Sequence, residues 1–177
     1  MEVVATELPG VLLLRPKTFE DARGFFMETF NAREFGAAGL PTEFVQDNHS
    51  RSVRNVLRGL HFQSPTWQGK LVRTVVGEVF DVAVDIRPES ATFGRWFGTV
   101  LSAQNRHQLY IPPGFAHGFC VTSEVADVVY KCTALYEPSE DRCLRWDDGD
   151  VGVEWPVETP LLSDKDAKGL SLRQLFP

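Results

Sequence analysis

Two histidine-centred segments hold the residues best suited to chemistry. Val56 to Gln63 contains Arg58-Gly59-Leu60-His61, and Ile111 to Phe119 contains Pro112-Pro113-Gly114-Phe115-Ala116-His117. Each places an imidazole in apolar, turn-rich surroundings, and the first adds a guanidinium three residues before its histidine. Two histidines and several cations inside a small β-fold support either metal binding or metal-free proton transfer by a neutral imidazole. A transition-metal site needs several N, O or S ligands in fixed geometry. The remaining histidines are His49 and His107, and neither segment carries a clear third ligand. The pattern therefore favours proton transfer, with no metal.

Other groups must converge on His61 for this to work. Arg58, beside an apolar strand, must be paired or face a cavity, because an unpaired buried charge is costly. Residues three apart on a regular strand face opposite sides, so Arg58 and His61 share a pocket only if Gly59 permits a bulge or twist. Lys70 follows Gly69 and is either a solvated strand end or a cation held for the site. Tyr130, mid-strand in Val128-Val129-Tyr130-Lys131-Cys132, is packing unless its hydroxyl enters the cavity of His61. Asp166 has two open readings. It completes a capping box begun by Ser163, or it accepts the Nδ1–H of a catalytic histidine, fixing the tautomer and raising the ring's basicity.

The elements that must position these groups read mostly as strands. Over 69–86, Phe80, Val82, Val84 and Ile86 alternate with Val79, Asp81, Ala83 and Asp85, and Gly77 breaks the run, suggesting a hairpin or bulge. Further strands are expected at Arg95–Leu101, Gln108–Ile111, Gly118–Thr122, Val125–Leu135 and Arg142–Trp146. Short strands punctuated by Gly and Pro suggest a sandwich or barrel. Helices are expected only as one or two turns, after Asn31 and after Ser163.

The chain has 177 residues, which fits one domain over 1–177 with a real core. A net charge of −6 argues against a nucleic-acid partner, which usually meets a basic excess. The N-terminus has no basic and apolar signal-peptide pattern. No apolar run approaches the ~18 residues of a membrane span. Three cysteines, Cys120, Cys132 and Cys143, have no CxxC pair, which reads as reduced thiols in a cytoplasmic protein.

Pro112-x-Gly114-x-x-His117 resembles the second motif of the cupin superfamily, in which that histidine is a metal ligand beside a His-x-His. Here Phe62 and Gln63 follow His61, so His-x-His is missing. A longer set then occurs in order: Asp21-x-Arg23-Gly24-Phe25-Phe26-x-Glu28, Phe44 to Ser50, Val56 to Gln63, Gly69 to Arg73, Ile111 to Phe119, Tyr130 to Thr133, and Leu162-Ser163-x-Lys165-Asp166. Together these strongly resemble the dTDP-4-dehydrorhamnose 3,5-epimerase family over nearly the whole chain.

The resemblance implies an all-β, cupin-type jelly roll with a few short peripheral helices. It implies a homodimer without metal or organic cofactor, acting on a dTDP-4-keto-6-deoxyhexose. Position by position, His61 resembles the general base, Asp166 its partner, Tyr130 the acid on the opposite ring face and Lys70 the residue steadying the enolate. Arg58 and His117 match substrate-binding positions. Arg23, Glu28, Gln46, Asp47 and Asn48 resemble nucleotide contacts, some donated across the dimer. Tyr136 matches an aromatic beside the sugar, and Asp141 and Lys165 are further ligand contacts. Ala134 and Leu135 depart from the Asp and Tyr common in the family, which bears on whether C3, C5 or both are inverted. A mono-epimerase on a related deoxysugar, a metal-dependent cupin enzyme and a catalytically silent sugar-nucleotide binder are the competing readings.

Overall fold

The computed structural model describes residues 1–177. The chain forms β1 (Glu2–Ala5), β2 (Leu12–Arg15), the hairpin of β3 (Thr18–Asp21) and β4 (Gly24–Met27), α1 (Ala32–Ala37), β5 (Gln46–Val53), β6 (Leu57–Gln63), β7 (Lys70–Val76) and β8 (Glu78–Asp85). It continues through β9 (Trp96–Ser102), β10 (Gln108–Ile111), β11 (Phe115–Val121), β12 (Val125–Cys132), β13 (Asp141–Cys143), α2 (Asp164–Ala167) and α3 (Leu172–Leu175). A six-stranded sheet, ordered β1-β2-β10-β7-β12-β5, packs against a five-stranded sheet, ordered β13-β6-β11-β8-β9. This is the all-β, cupin-type jelly roll with a few short peripheral helices that the resemblance implies.

The alternation in β8 places its two faces in different cores. Val79 and Ala83 join Val72, Leu109, Phe115, Phe119 and Val128 between the sheets. Val82, Val84 and Ile86 face outward and are covered by Leu144, Val151 and Leu172 of the C-terminal segment. Both faces are buried, so Val79, Val82, Ala83 and Val84 are apolar, while the buried carboxylates Asp81 and Asp85 are paired with His117 and Arg87. On the far side of the six-stranded sheet, Leu14, Leu71 and Tyr110 pack under Phe35 and Leu40 around α1. Asn31 caps that helix by accepting from the backbone N–H groups of Arg33 and Glu34.

Gly77 is not a hairpin turn. At φ +70 it turns the chain from β7 in one sheet to β8 in the other, and a Cβ there would lie 2.0 Å from the Val125 carbonyl oxygen. β11 begins at Phe115, three residues earlier than expected, because Gly114 (φ +90) completes the turn before it. β12 ends at Cys132 rather than Leu135, where Thr133 leaves the ladder and caps Gly69 N–H with its hydroxyl. The strand expected over Arg142–Trp146 is the shorter Asp141–Cys143.

β5 has the pattern that sequence reading passes over. Gln46, Asn48 and Ser50 are half-buried and Ser52 is buried, while Asp47, His49, Arg51 and Val53 are exposed. The period is two, as a strand requires, but the inward face is polar. That polar face lines a cavity.

Candidate active site

The cavity, about 350 Å³, lies between the sheets. β6 and β11 supply His61 and His117 from the five-stranded sheet; β7, β12 and β5 supply Lys70, Tyr130, Gln46 and Asn48 from the other. Arg58, Tyr136, Asp141 and Lys165 complete the wall among the residues expected from sequence.

Gly59 makes the wall possible. His117 pairs with His61 and Phe119 with Arg58, so β6 holds one residue more than β11 over that interval. This is a bulge, and Gly59 sits in it at φ +118. A Cβ there would meet the Gly118 Cα at 2.6 Å and the His117 carbonyl oxygen at 2.7 Å. The extra residue turns Arg58 onto the same side as His61. Its Nε donates to Ser52 Oγ on β5 at 3.0 Å, and no carboxylate neutralises it.

Each histidine holds its own carboxylate. His61 Nε2 lies 2.5 Å from Asp166 Oδ1. Asp166 also accepts from Ser163 Oγ at 2.8 Å and from Gly59 N–H at 3.4 Å. Ser163 Oγ caps α2 by accepting the Asp166 N–H, but the Asp166 carboxylate takes the Ser163 hydroxyl rather than its backbone N–H, so the expected capping box is not completed and the carboxylate faces His61. The contact is through Nε2, not the expected Nδ1. Burial would raise the Asp166 carboxyl, but the hydrogen bond and charge of His61, with Ser163 and Gly59, hold it below the usual carboxylate range. No hydrogen bond from the chain engages His61 Nδ1. Across the ladder, His117 Nε2 lies 3.0 Å from both carboxylate oxygens of Asp81, which is wholly buried.

Lys70 is buried rather than a solvated strand end, with Nζ donating to the His61 carbonyl at 3.3 Å. Burial pushes its ammonium below the usual lysine range, against the pull of Cys132, Asp141 and Asp81. Burial likewise raises the Tyr130 hydroxyl, which stays a proton donor at neutral pH. At the mouth, Asp141 accepts from Tyr136 Oη at 3.0 Å and from Lys165 Nζ. Gln46 accepts the Tyr136 N–H at 2.7 Å and donates to Asn48 Oδ1 at 3.0 Å.

Four expected residues do not line this cavity within the chain: Asp166 sits behind His61, and Arg23, Glu28 and Asp47 lie elsewhere. Asp47 follows the alternation of β5 to the outer side and pairs with Lys131 at 3.0 Å. Arg23 lies at the tip of the β3–β4 hairpin, 90% exposed and paired with Asp21. Glu28, just past β4, borders a separate hollow beside Phe26 and Phe30. The hairpin forms its own two-stranded sheet, so neither main sheet carries these residues inward.

Sequence reading missed Asp81, although its place in an alternating, apolar run was a signal for a paired buried carboxylate. It also missed Cys143. Its sulfur lies 3.9 Å from Asp166 Oδ1, and burial with the adjacent carboxylate pushes the thiol up to about 12. His61, Cys143 and Asp166 are the one group of three potential metal ligands brought together, each donor atom within 4.8 Å of the others.

A family model described as dTDP-4-dehydrorhamnose 3,5-epimerase matches residues 5–174. The chain is 59% identical to the dTDP-4-dehydrorhamnose 3,5-epimerase of Shigella flexneri over 171 residues, covering 96% of this chain and 94% of that one. It is 38% identical over 169 residues to a dTDP-4-dehydrorhamnose 3-epimerase of Streptomyces niveus, covering 94% and 82%. A solved dTDP-6-deoxy-D-glucose-3,5-epimerase of Legionella pneumophila, in complex with dTDP-4-keto-L-rhamnose, superposes with a TM-score of 0.95 at 47% identity, covering 97% of this chain and 93% of that one.

Proposed function

The chain belongs to the dTDP-4-dehydrorhamnose 3,5-epimerase family, and from that premise we propose that it inverts C3 and C5 of dTDP-4-dehydro-6-deoxy-D-glucose to give dTDP-4-dehydro-L-rhamnose. The observation that carries this reading is a base and an acid entering one cavity from different sheets, His61 from β6 and Tyr130 from β12.

The C4 ketone acidifies the C–H bonds at C3 and C5. His61 takes a proton on Nδ1, while Nε2–H stays on Asp166, whose charge stabilises the imidazolium formed. The electron pair moves onto the C4 oxygen, where Lys70 supplies positive charge. Tyr130 returns a proton to the opposite face of the carbon. A base alone would return the proton to the face it left, exchanging hydrogen without inversion. The imidazolium then loses its proton to solvent and the phenolate regains one. These steps need no metal or organic cofactor.

Arg58, with no carboxylate partner, suits the diphosphate, and His117 a polar group of the sugar. Gln46, Asn48, Tyr136, Asp141 and Lys165 form the remaining substrate wall. Arg23, Glu28 and Asp47 serve the nucleotide only if a second copy brings them to the site, which supports a homodimer. The exposed Phe19, Phe25 and Phe26 on the same hairpin fit such an interface. One epimerase domain over 1–177, working in the cytoplasm with free thiols, completes the proposal. Proton NMR of the product formed from dTDP-4-dehydro-6-deoxy-D-glucose tests it. Inversion at both carbons is expected; inversion at one alone identifies a mono-epimerase instead.

A further inference from the structure

A sulfur that the proposed proton transfers do not use sits against the base. Cys143 comes from β13, His61 from β6 and Asp166 from α2, and their donor atoms lie within 4.8 Å of one another. The two other histidine–carboxylate pairs, His49–Asp127 at 3.3 Å and His117–Asp81 at 3.0 Å, have no third donor so placed. An imidazole nitrogen, a thiolate and a carboxylate make a donor set suited to Zn²⁺, a borderline-soft cation. Zinc bonds of roughly 2.0–2.3 Å put tetrahedral donor atoms roughly 3.5 Å apart. Asp166 Oδ1 and Cys143 Sγ are 3.9 Å apart, close to that edge, and the 2.5 Å His61–Asp166 contact must open by about 1 Å.

We propose that His61, Cys143 and Asp166 form an inhibitory Zn²⁺ site that silences the base. As the ion binds, a zinc–sulfur bond forms and the thiol proton leaves to solvent; no electrons are transferred. The ion takes the Nε2 lone pair, so the ring proton of the neutral imidazole moves to Nδ1. Nδ1 then has no lone pair with which to accept a proton from carbon. Asp166 is also withdrawn from its hydrogen bond. The metal site stands on the three donors alone, whereas the loss of turnover rests on the reading of His61 as the base.

Binding and turnover are therefore measured separately. Equilibrium dialysis of the intact protein with Zn²⁺ is expected to give one ion per chain. Co²⁺ in its place is expected to give a thiolate-to-cobalt charge-transfer absorption. Turnover falls as Zn²⁺ fills the site and returns with chelator. Cys143→Ala and Cys143→Ser keep metal-free turnover within about twofold, bind Zn²⁺ at least about tenfold more weakly and lose the cobalt absorption. The serine variant preserves volume and keeps the test available if alanine destabilises the fold. Absence of stoichiometric binding to the wild type, or unchanged Zn²⁺ affinity in both variants, overturns the site. Stoichiometric binding through Cys143 with undiminished turnover supports the site and overturns the role of His61 as base.

Discussion

Asp166→Asn removes a charge from behind His61, the proposed base, while keeping nearly the same shape. The carboxylate is 3% exposed and engages His61 Nε2 at 2.5 Å, Ser163 Oγ at 2.8 Å and the Gly59 N–H at 3.4 Å. An asparagine oxygen can still accept from Nε2–H, and its amide can donate to Ser163 Oγ once that hydroxyl rotates. What disappears is the attraction between carboxylate and imidazolium at the moment His61 becomes charged. Unit charges about 4 Å apart at an effective dielectric of about 20 interact by about 4 kcal/mol. At 1.36 kcal/mol per tenfold, that is a loss of about 10³ in kcat. KM should change by less than about threefold, because Asp166 lies behind the ring and is not part of the cavity wall. Steady-state turnover on the keto-sugar nucleotide measures both. Acid unfolding supplies a second check. The folded-state pKa of Asp166 is depressed, so its stabilisation is present above the unfolded value of about 3.9 and is lost as pH falls through the folded value. The wild type should therefore lose its stability advantage over Asp166→Asn below about pH 4. A kcat within tenfold of wild type refutes the electrostatic role of Asp166.

Gly59→Ala forces a Cβ into the Gly118 and His117 backbone at a positive φ. It should cost roughly 2–4 kcal/mol in urea unfolding and lower turnover by separating Arg58 from His61. Lys70→Met should abolish most turnover, roughly 10²–10³-fold, as expected for loss of an oxyanion donor. It should also raise the melting temperature near neutral pH. Burial lowers the Lys70 pKa, so the wild type gains stability as pH rises from the folded toward the unfolded value, and the variant's advantage should shrink toward pH 10. Phe26→Glu on the exposed hairpin should yield a monomer by sedimentation, with nucleotide affinity reduced at least tenfold; a fully active monomer would remove the dimer from the proposal.

What could be read from sequence divides by what each strand faces. β8 and β10 declared themselves because apolar side chains serve a core on at least one face. β5 did not, because Gln46, Asn48 and Ser50 face a cavity, Ser52 beyond them is polar too, and nothing apolar marks the inward side. The Arg58–His61 puzzle contained its own solution, since only a bulge at glycine reconciles a three-residue spacing with one shared wall. Gly77 was visible as a break, but its sequence could not distinguish a hairpin from a change of sheet. The nitrogen facing Asp166 depends on ring orientation, which no motif encodes. Arg23 and Glu28 belong to a hairpin separate from both main sheets, so the motif alone does not say which site they would serve.

In the proposed mechanism, proton removal and proton return come from different sheets onto opposite faces of one carbon. Turnover in deuterium oxide, followed by NMR at C3 and C5, tests it most directly through three proteins. Wild type should incorporate deuterium with inversion at both carbons, Tyr130→Phe should exchange faster than it inverts, and His61→Ala should do neither. Deuterium uptake by His61→Ala at the wild-type rate would rule out His61 as the base.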